Sequence, residues 1–154
     1  DDGSGTILTM ELARVFAESG MEFDATLVFI LWAGEEQGLF GSMAHAQALL
    51  LSTVVLGELL AGFAAGTRQS KNRAELAKFM DSPRVDVVPL TAHTADSYAL
   101  VHAGLRRKGQ PIPTNDLWIA ASALEHGAAL LTRDAHFSKI DGLRVGSRLE
   151  DFLP

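Results

Sequence analysis

The sequence predicts an α/β domain in which helices flank a parallel sheet. Short apolar runs alternate along the chain with longer stretches whose apolar residues recur at helical spacing, as in strand–helix–strand units. The run at 26–32 is almost wholly apolar, which is typical of a strand buried on both faces. With 154 residues, of which 47% are apolar, the chain is long enough for one domain with a sizeable core.

The first fifty residues are predicted to form two helices and one strand. Apolar residues at helical spacing indicate a helix over 6–19, and Gly20 stands where a carboxyl-terminal cap is expected. The strand at 26–32 comes next, and a second helix is predicted over 42–50.

Beyond residue 50, strands and helices alternate regularly. Glycine and proline set most of the boundaries, because neither continues a helix readily. The predicted strands are 51–55, 85–88, 128–132 and 143–145. The predicted helices are 56–65, 72–80, 91–107 and 115–126.

Composition excludes several classes of function. The chain has no cysteine, so disulfides, thiolate metal sites and a cysteine nucleophile are excluded. No run approaches the roughly 18 uncharged apolar residues of a membrane span, and no signal-peptide pattern is visible, so we expect a cytoplasmic protein without a membrane partner. The net charge of −6 argues against coating nucleic acid through bulk charge, although an enzyme can still hold RNA through a metal.

Charge is distributed unevenly between two stretches of the chain. Residues 1–49 carry a net charge of −7 and residues 50–154 carry +1, and all five prolines follow residue 82. Such a shift indicates two stretches with different origins.

Three acids of the second stretch stand where a metal-dependent enzyme would have them. Glu58 lies near the start of one predicted helix, Asp116 opens another, and Asp134 follows the strand at 128–132. The carboxyl ends of parallel strands and the adjoining helix starts share one edge of the sheet, where ligands bind. Carboxylates gathered there suit Mg²⁺ or Mn²⁺, which can activate water for attack on a phosphodiester.

Each of these acids also has a structural interpretation. Asp116 follows Asn115 and fits a helix-start acid favoured by the macrodipole. Glu58 lies off the apolar stripe of its helix and fits a solvated residue, and Asp134 fits a turn acid. Spacing alone leaves the two interpretations open.

A resemblance to a known family favours the metal site. From about residue 51 to 146 the chain resembles the PIN-domain ribonucleases, specifically the VapC-type toxins of toxin–antitoxin systems. The matching segments, in family order and spacing, are 52–62, 105–113, 115–121, 130–137 and 140–143. The resemblance implies a three-layer PIN-like sheet and a metal-dependent endoribonuclease in which Glu58, Asp116 and Asp134 are the catalytic and metal-binding acids. It also implies Mg²⁺ or Mn²⁺, an RNA substrate, a cognate antitoxin and a homodimer.

One departure from this family bears on activity. The family begins with a strand that ends in an Asp-Thr-Asn type of motif, and no such motif occurs before residue 51. We therefore expect a sheet whose first strand is missing or replaced, and a nuclease whose activity is reduced or lost. A catalytically dead module that still binds an antitoxin is the alternative, with Phe63, Tyr98 and Trp118 as interface or core residues.

Residues 1–45 resemble a different family, the co-catalytic zinc aminopeptidases. The matching words are Asp-Asp-Gly-Ser-Gly-Thr at 1–6 and Trp-Ala-Gly-Glu-Glu-Gln-Gly at 32–38. By that resemblance Asp1 would bridge two zinc ions, Glu35 would be the general base and Glu36 a zinc ligand. The remaining family ligands are not recognisable, so a zinc peptidase is the alternative function and a fragment the favoured interpretation.

The two resemblances divide the chain into a peptidase-like fragment, 1–48, and a truncated PIN-like domain, 49–154. The strand at 26–32 offers one way for them to cooperate, since it could dock where the missing first strand belongs. Glu35 or Glu36, after its carboxyl end, would then replace the missing aspartate.

Basic residues near the predicted site are candidates for binding phosphate. Arg133 precedes Asp134, and Arg106 and Arg107 lie at the end of the long helix. The alternative for the two arginines at the helix end is a solvated pair that interacts with the helix dipole.

Overall fold

The computed structural model describes residues 29–32, 48–83, 85–147 and 151. Five strands form one sheet, and their bounds are β1 Phe29–Trp32, β2 Ala48–Ser52, β3 Val85–Val88, β4 Ala129–Leu131 and β5 Val145–Gly146. The α-helices of this part are α1 Thr53–Ala65, α2 Gln69–Met80, α3 Ala92–Lys108 and α4 Thr114–Glu125. A 3₁₀-helix spans Ala135–Lys139. The helix predicted at 6–19 lies outside the described residues.

The sheet has the order β3-β2-β1-β4-β5. The outer pairs, β2 with β3 and β4 with β5, are parallel. These four strands run in one direction, so their carboxyl ends share one edge of the sheet. The predicted α/β class, with helices flanking a largely parallel sheet, is confirmed.

The central strand comes from the first stretch of the chain and runs against all the others. Ile30 of β1 pairs with Leu50 on one side and Leu130 on the other, and both ladders are antiparallel. The predicted strand is therefore confirmed over Phe29–Trp32, whereas the expectation of a uniformly parallel sheet is wrong for β1. An antiparallel neighbour needs no crossover connection, and Trp32 at the end of β1 pairs with Ala48 at the start of β2.

Glu35 or Glu36 was expected to replace the missing aspartate on the premise that β1 ends at the same edge as β2 and β4. The direction of β1 contradicts that premise. Trp32, the last residue of β1, pairs with Ala48, the first residue of β2. The carboxyl end of β1 thus lies at the opposite edge from the carboxyl ends of β2 and β4. Glu35 and Glu36 themselves lie outside the described residues.

The boundary between β2 and α1 differs from the prediction by a few residues. Residues 48–50 form a strand rather than the end of a helix, because Leu49 and Leu50 are buried in the sheet. Helix α1 then begins at residue 53, since the buried Ser52 caps it by accepting a hydrogen bond of 3.3 Å from the Val54 amide. This cap overrides the strand preference of the valines at 54 and 55.

The long helix α3 has defined ends that were visible in the sequence. Thr91 caps its start in a reciprocal arrangement with Thr94, and Gly109 ends it in a left-handed conformation with φ of 66°. Helix α4 follows after only five residues, so the last turn of α3 lies at the same end of the molecule as the first turn of α4.

The core lies between the sheet and the helices. Phe63 and Phe137 are fully buried in it, so Phe63 is a core residue rather than an interface residue. Tyr98 and Trp118 are half-buried between α3 and α4, with ring centroids 4.2 Å apart. Among the described residues, no helix is both long enough and apolar enough to span a membrane.

Candidate metal centre

Two of the three predicted acids meet at the edge where β2 and β4 end. Asp116 lies in the first turn of α4, and Asp134 lies three residues after β4. One carboxylate oxygen from each, together with a ring nitrogen of His136, lies within 4.8 Å of the others. In the part of the chain that the structure describes, this is the group of side chains best arranged to hold a metal ion.

A tight turn and a short helix fix the position of Asp134. Its backbone amide donates to Oγ1 of Thr132 at 3.1 Å, which directs the chain out of the sheet. Its carboxylate then caps the 3₁₀-helix by accepting a hydrogen bond of 2.8 Å from the backbone amide of His136. The same turn therefore orients the carboxylate and the imidazole.

The imidazole of His136 joins the two acids. Its Nδ1 atom lies 3.0 Å from Oδ2 of Asp116 and 3.2 Å from Oδ1 of Asp134. This histidine was not among the site residues predicted from the sequence. The signal in the sequence that could have found it is its spacing from Asp134. A histidine two residues after an aspartate that caps a helix lies in the first turn of that helix, close to the aspartate.

Glu58 stands beside this group rather than within it. It lies in the second turn of α1, because that helix begins at residue 53, and its side chain is half-buried. Asn115 donates a hydrogen bond of 2.7 Å from Nδ2 to Oε1 of Glu58. Since Asn115 precedes Asp116 in α4, this bond ties Glu58 to the turn that carries Asp116.

The electrostatics of Asp116 favour a cation at this edge. Burial raises the pKa of its carboxyl above the usual value, and the nearby charge of Asp134 raises it further, against the lowering effect of the hydrogen bond from His136. Two carboxylates so close repel each other when both are ionised. The oxygen donors that they offer are those that Mg²⁺ and Mn²⁺ prefer, so these side chains fit such an ion.

The predicted phosphate-binding residues have different surroundings. Arg133 is exposed beside Asp134, and Arg106 and Arg107 are exposed in the last turn of α3. Their neighbour Lys108 is already engaged, because its Nζ donates to Oδ1 of Asp141 at 2.5 Å and to the carbonyl of Lys139 at 3.0 Å. Lys108 is thus paired, and the three exposed arginines stay the candidates for phosphate binding.

The acids assigned by the peptidase resemblance, Asp1, Glu35 and Glu36, lie outside the described residues. The boundary between 48 and 49 also stays a prediction. Strand β1 nevertheless belongs to the same sheet as the strands of the second stretch.

The fold and the acidic edge agree with one protein class. The chain belongs to the PIN domain family, whose sequence profile matches residues 26–143 and so includes β1. The expected PIN-like α/β fold is thereby confirmed. The ribonuclease VapC4 of Mycobacterium tuberculosis is 30% identical over 95 residues, which are 62% of this chain and 73% of that protein.

A solved structure and a second kind of relative complete the comparison. The complex VapBC2 from Rickettsia felis, bound to a DNA fragment from its promoter, matches with a TM-score of 0.58 and 29% identity over 63% of this chain and 72% of that chain. A probable zinc metalloprotease of Pyricularia oryzae is 45% identical over 76 residues, which are 47% of this chain but only 15% of that protein.

Proposed function

We propose that this protein is a metal-dependent endoribonuclease of the VapC toxin type that hydrolyses RNA phosphodiesters. The observation that carries the proposal is the convergence of Asp116 and Asp134 at the carboxyl edge of the sheet. The similarity to VapC4 supports the nuclease class and RNA as the substrate. The proposed cytoplasmic location follows from that substrate.

The residues of the edge have separate roles in this proposal. Asp116 and Asp134 would hold the ion, and Glu58, held by Asn115, would complete the acidic set. A bound Mg²⁺ or Mn²⁺ activates water and stabilises the charge that develops on a phosphodiester. The exposed Arg133 would meet the RNA backbone, because its guanidinium matches the geometry of a phosphate.

The incomplete acid set leads us to propose that activity is impaired. The central strand runs opposite to the other four, and its carboxyl end lies at the far edge of the sheet. The end of β1 from which a following acid would start thus lies away from Asp116 and Asp134. We therefore expect slow cleavage that depends strongly on the remaining acids.

Cleavage of a panel of structured RNAs, with Mg²⁺ or Mn²⁺ supplied, tests the proposal. We compare the wild type with Asp116→Asn, Asp134→Asn and the control Asp96→Asn. Asp96 is exposed on α3, about 18 Å along the helix from Lys108, so its loss leaves the edge intact. We expect the wild type and the control to cleave RNA, and both Asp116→Asn and Asp134→Asn to have lost this activity. Equal cutting by all four proteins, or none by a folded wild type, would contradict it.

We further propose that the chain binds an antitoxin and forms a homodimer. The support is the solved complex VapBC2, in which the matched chain is one component. Mixing with the antitoxin of that complex, followed by size-exclusion chromatography with light scattering, is expected to give a heteromeric species. Binding without any RNA cleavage would favour the alternative, a catalytically dead antitoxin-binding module.

For the first stretch we propose descent from a zinc metalloprotease without peptidase activity. The support is the word Trp-Ala-Gly-Glu-Glu at 32–36 and the similarity to the Pyricularia protein, of whose length the chain spans 15%. Zinc analysis of the purified protein and hydrolysis of aminoacyl substrates test this. Stoichiometric zinc together with peptide hydrolysis would overturn it.

A further inference from the structure

The cluster at the sheet edge contains one donor that is not an oxygen. His136 Nδ1 points between two carboxylates, at 3.0 Å from Asp116 and 3.2 Å from Asp134. In one arrangement, this nitrogen carries a proton that it donates to both carboxylates. In the other, it is a third donor to a metal ion that both carboxylates bind. The two arrangements have opposite consequences for metal binding.

We infer that His136 is a metal ligand through Nδ1 and gives the site a preference for Mn²⁺ over Mg²⁺. This inference rests on the proposed function, since it concerns the ion that Asp116 and Asp134 would hold. It adds a nitrogen donor to an edge where the acid expected from the first strand has no counterpart among the described strand ends.

The chemistry of the donors sets the direction of the preference. Mg²⁺ requires oxygen ligands and gives up its bound water reluctantly, whereas Mn²⁺ accepts an imidazole alongside carboxylates. Losing the imidazole should therefore weaken Mn²⁺ binding more than Mg²⁺ binding.

The local structure favours a ligand role over a freely moving side chain. The backbone amide of His136 is tied to the Asp134 carboxylate at 2.8 Å, so the imidazole begins from a fixed point of the 3₁₀-helix. The side chain is 41% exposed, compared with 14% for Asp116 and 21% for Asp134, so it is the most solvent-accessible member of the cluster. The imidazole would thus be within reach of an ion held by the two acids.

Two measurements at one fixed, slightly alkaline pH test the inference without using activity. Calorimetric titrations give the Kd of Mn²⁺ and of Mg²⁺ for the wild type, His136→Ala, His136→Asn and the control His93→Ala. Electron spin-echo spectroscopy of bound Mn²⁺ reports directly whether a nitrogen nucleus is coordinated. His93 is an exposed residue in the first turn of α3, at the opposite end of that helix.

The expected result is a nitrogen coupling in the wild type that His136→Ala abolishes. We also expect the Mn²⁺ Kd of that variant to rise about 10-fold or more, and its Mg²⁺ Kd by less than about 3-fold. His136→Asn replaces the nitrogen donor by an amide oxygen, so it should recover Mg²⁺ binding more fully than Mn²⁺ binding. The control should match the wild type for both ions.

The outcomes that overturn the inference are separable from those that overturn the proposed function. Mn²⁺ that binds without a nitrogen coupling, or binds more tightly to His136→Ala, identifies the imidazole as a competing internal cation. The carboxylate site, and with it the nuclease proposal, survives that result. A folded wild type that binds neither ion at millimolar concentration overturns both.

Discussion

Asn115 donates a 2.7 Å hydrogen bond from Nδ2 to Oε1 of Glu58, which joins the first turn of α4 to the second turn of α1. The two residues are 57 positions apart in sequence, so this bond reports on how the helices are packed. It also links the turn that carries Glu58 to the turn that carries Asp116.

This bond predicts a positioning role for Asn115. Replacing it by alanine frees the Glu58 carboxylate to rotate, and outer partners of metal-site residues typically contribute about 10-fold to 100-fold to affinity or activity. We expect Asn115→Ala to lower Mn²⁺-dependent RNA cleavage about 10-fold and to leave the free energy of unfolding within about 0.5 kcal/mol, because the side chain is exposed. Partial rescue by Asn115→Gln distinguishes positioning from a general structural effect.

Asp116→Asn should affect activity and stability in opposite directions. A carboxyl whose folded pKa is raised contributes stability below its unfolded pKa, and that contribution is lost as pH rises through the folded value. At neutral pH without metal, the neutral amide should therefore raise the free energy of unfolding by roughly 0.5–1 kcal/mol, while cleavage is abolished. Urea unfolding with EDTA present measures the first effect; a loss of stability of similar size would contradict this account.

Ser122 offers a second, independent way to stabilise the protein. Its side chain is fully buried in α4, and among the described residues its Oγ is the buried side-chain atom without a hydrogen-bond partner. Ser122→Ala removes the unsatisfied hydroxyl and introduces a better helix former, so we expect a gain of about 1 kcal/mol. The matched control Ser138→Ala should lose stability or leave it unchanged, because that hydroxyl donates to the Ala135 carbonyl at 2.8 Å.

The lowered pKa of Glu125 predicts that its carboxylate stabilises the folded protein at neutral pH and that this stabilisation is lost in acid. Burial acts to raise the pKa of this carboxyl, but hydrogen bonds from Thr94 and Thr91 outweigh it and hold the pKa below the ordinary value of 4.5. A lowered folded pKa gives stability that is fully present above the unfolded pKa and is lost as pH falls through the folded one. Glu125→Gln should therefore flatten the dependence of unfolding free energy on pH below about 4.5.

A matched control isolates this effect. Glu75 pairs with Lys71 at 3.8 Å on the surface of α2, a kind of pair that contributes little. Glu75→Gln should leave the acid limb of the stability curve as in the wild type. If the two variants gave the same curve, the threonine hydrogen bonds would not be the cause.

The direction of β1 can be tested by disulfide trapping, since the chain has no cysteine of its own. Trp32 and Ala48 are paired in the antiparallel ladder, so the variant Trp32→Cys with Ala48→Cys should form a disulfide on mild oxidation. The pair Phe29→Cys with Ala48→Cys should not, because three residues of strand separate the positions by about 10 Å. Cross-linking of the second pair in preference to the first would mean that β1 is parallel.

The sequence predicts most elements of this fold and names Glu58, Asp116 and Asp134 as candidate acids at its edge. The strand at 85–88 and the helices after residue 56 come from periodicity and from glycine or proline stops, which are local signals. Asp116 and Asp134 are candidates from their position at a strand or helix end, and the family resemblance favours them as acids of a metal site. These inferences require no knowledge of distant contacts.

The features that were not predicted all depend on such contacts. The leucines at 49 and 50 suit a helix as well as a strand, and only their burial in the sheet decides between the two. His136 joins the site through contact with Asp116, which is 20 residues away. The direction of β1 has no signature in its composition, because an apolar run reads the same for either polarity.

A central strand usually does two things: it completes the hydrogen bonding of the sheet, and it brings a side chain to one edge. The reversed strand β1 separates these two contributions. A sheet needs a strand with amide and carbonyl groups on both sides, and a backbone supplies these whichever way it runs. A side chain that follows a strand reaches one particular edge only if the carboxyl end of the strand lies there. This second contribution therefore depends on the direction of the strand. A strand of either polarity can thus complete the sheet, but only one polarity places its carboxyl end at the acidic edge. The shape of such a sheet and the set of side chains at one of its edges can therefore change independently of each other.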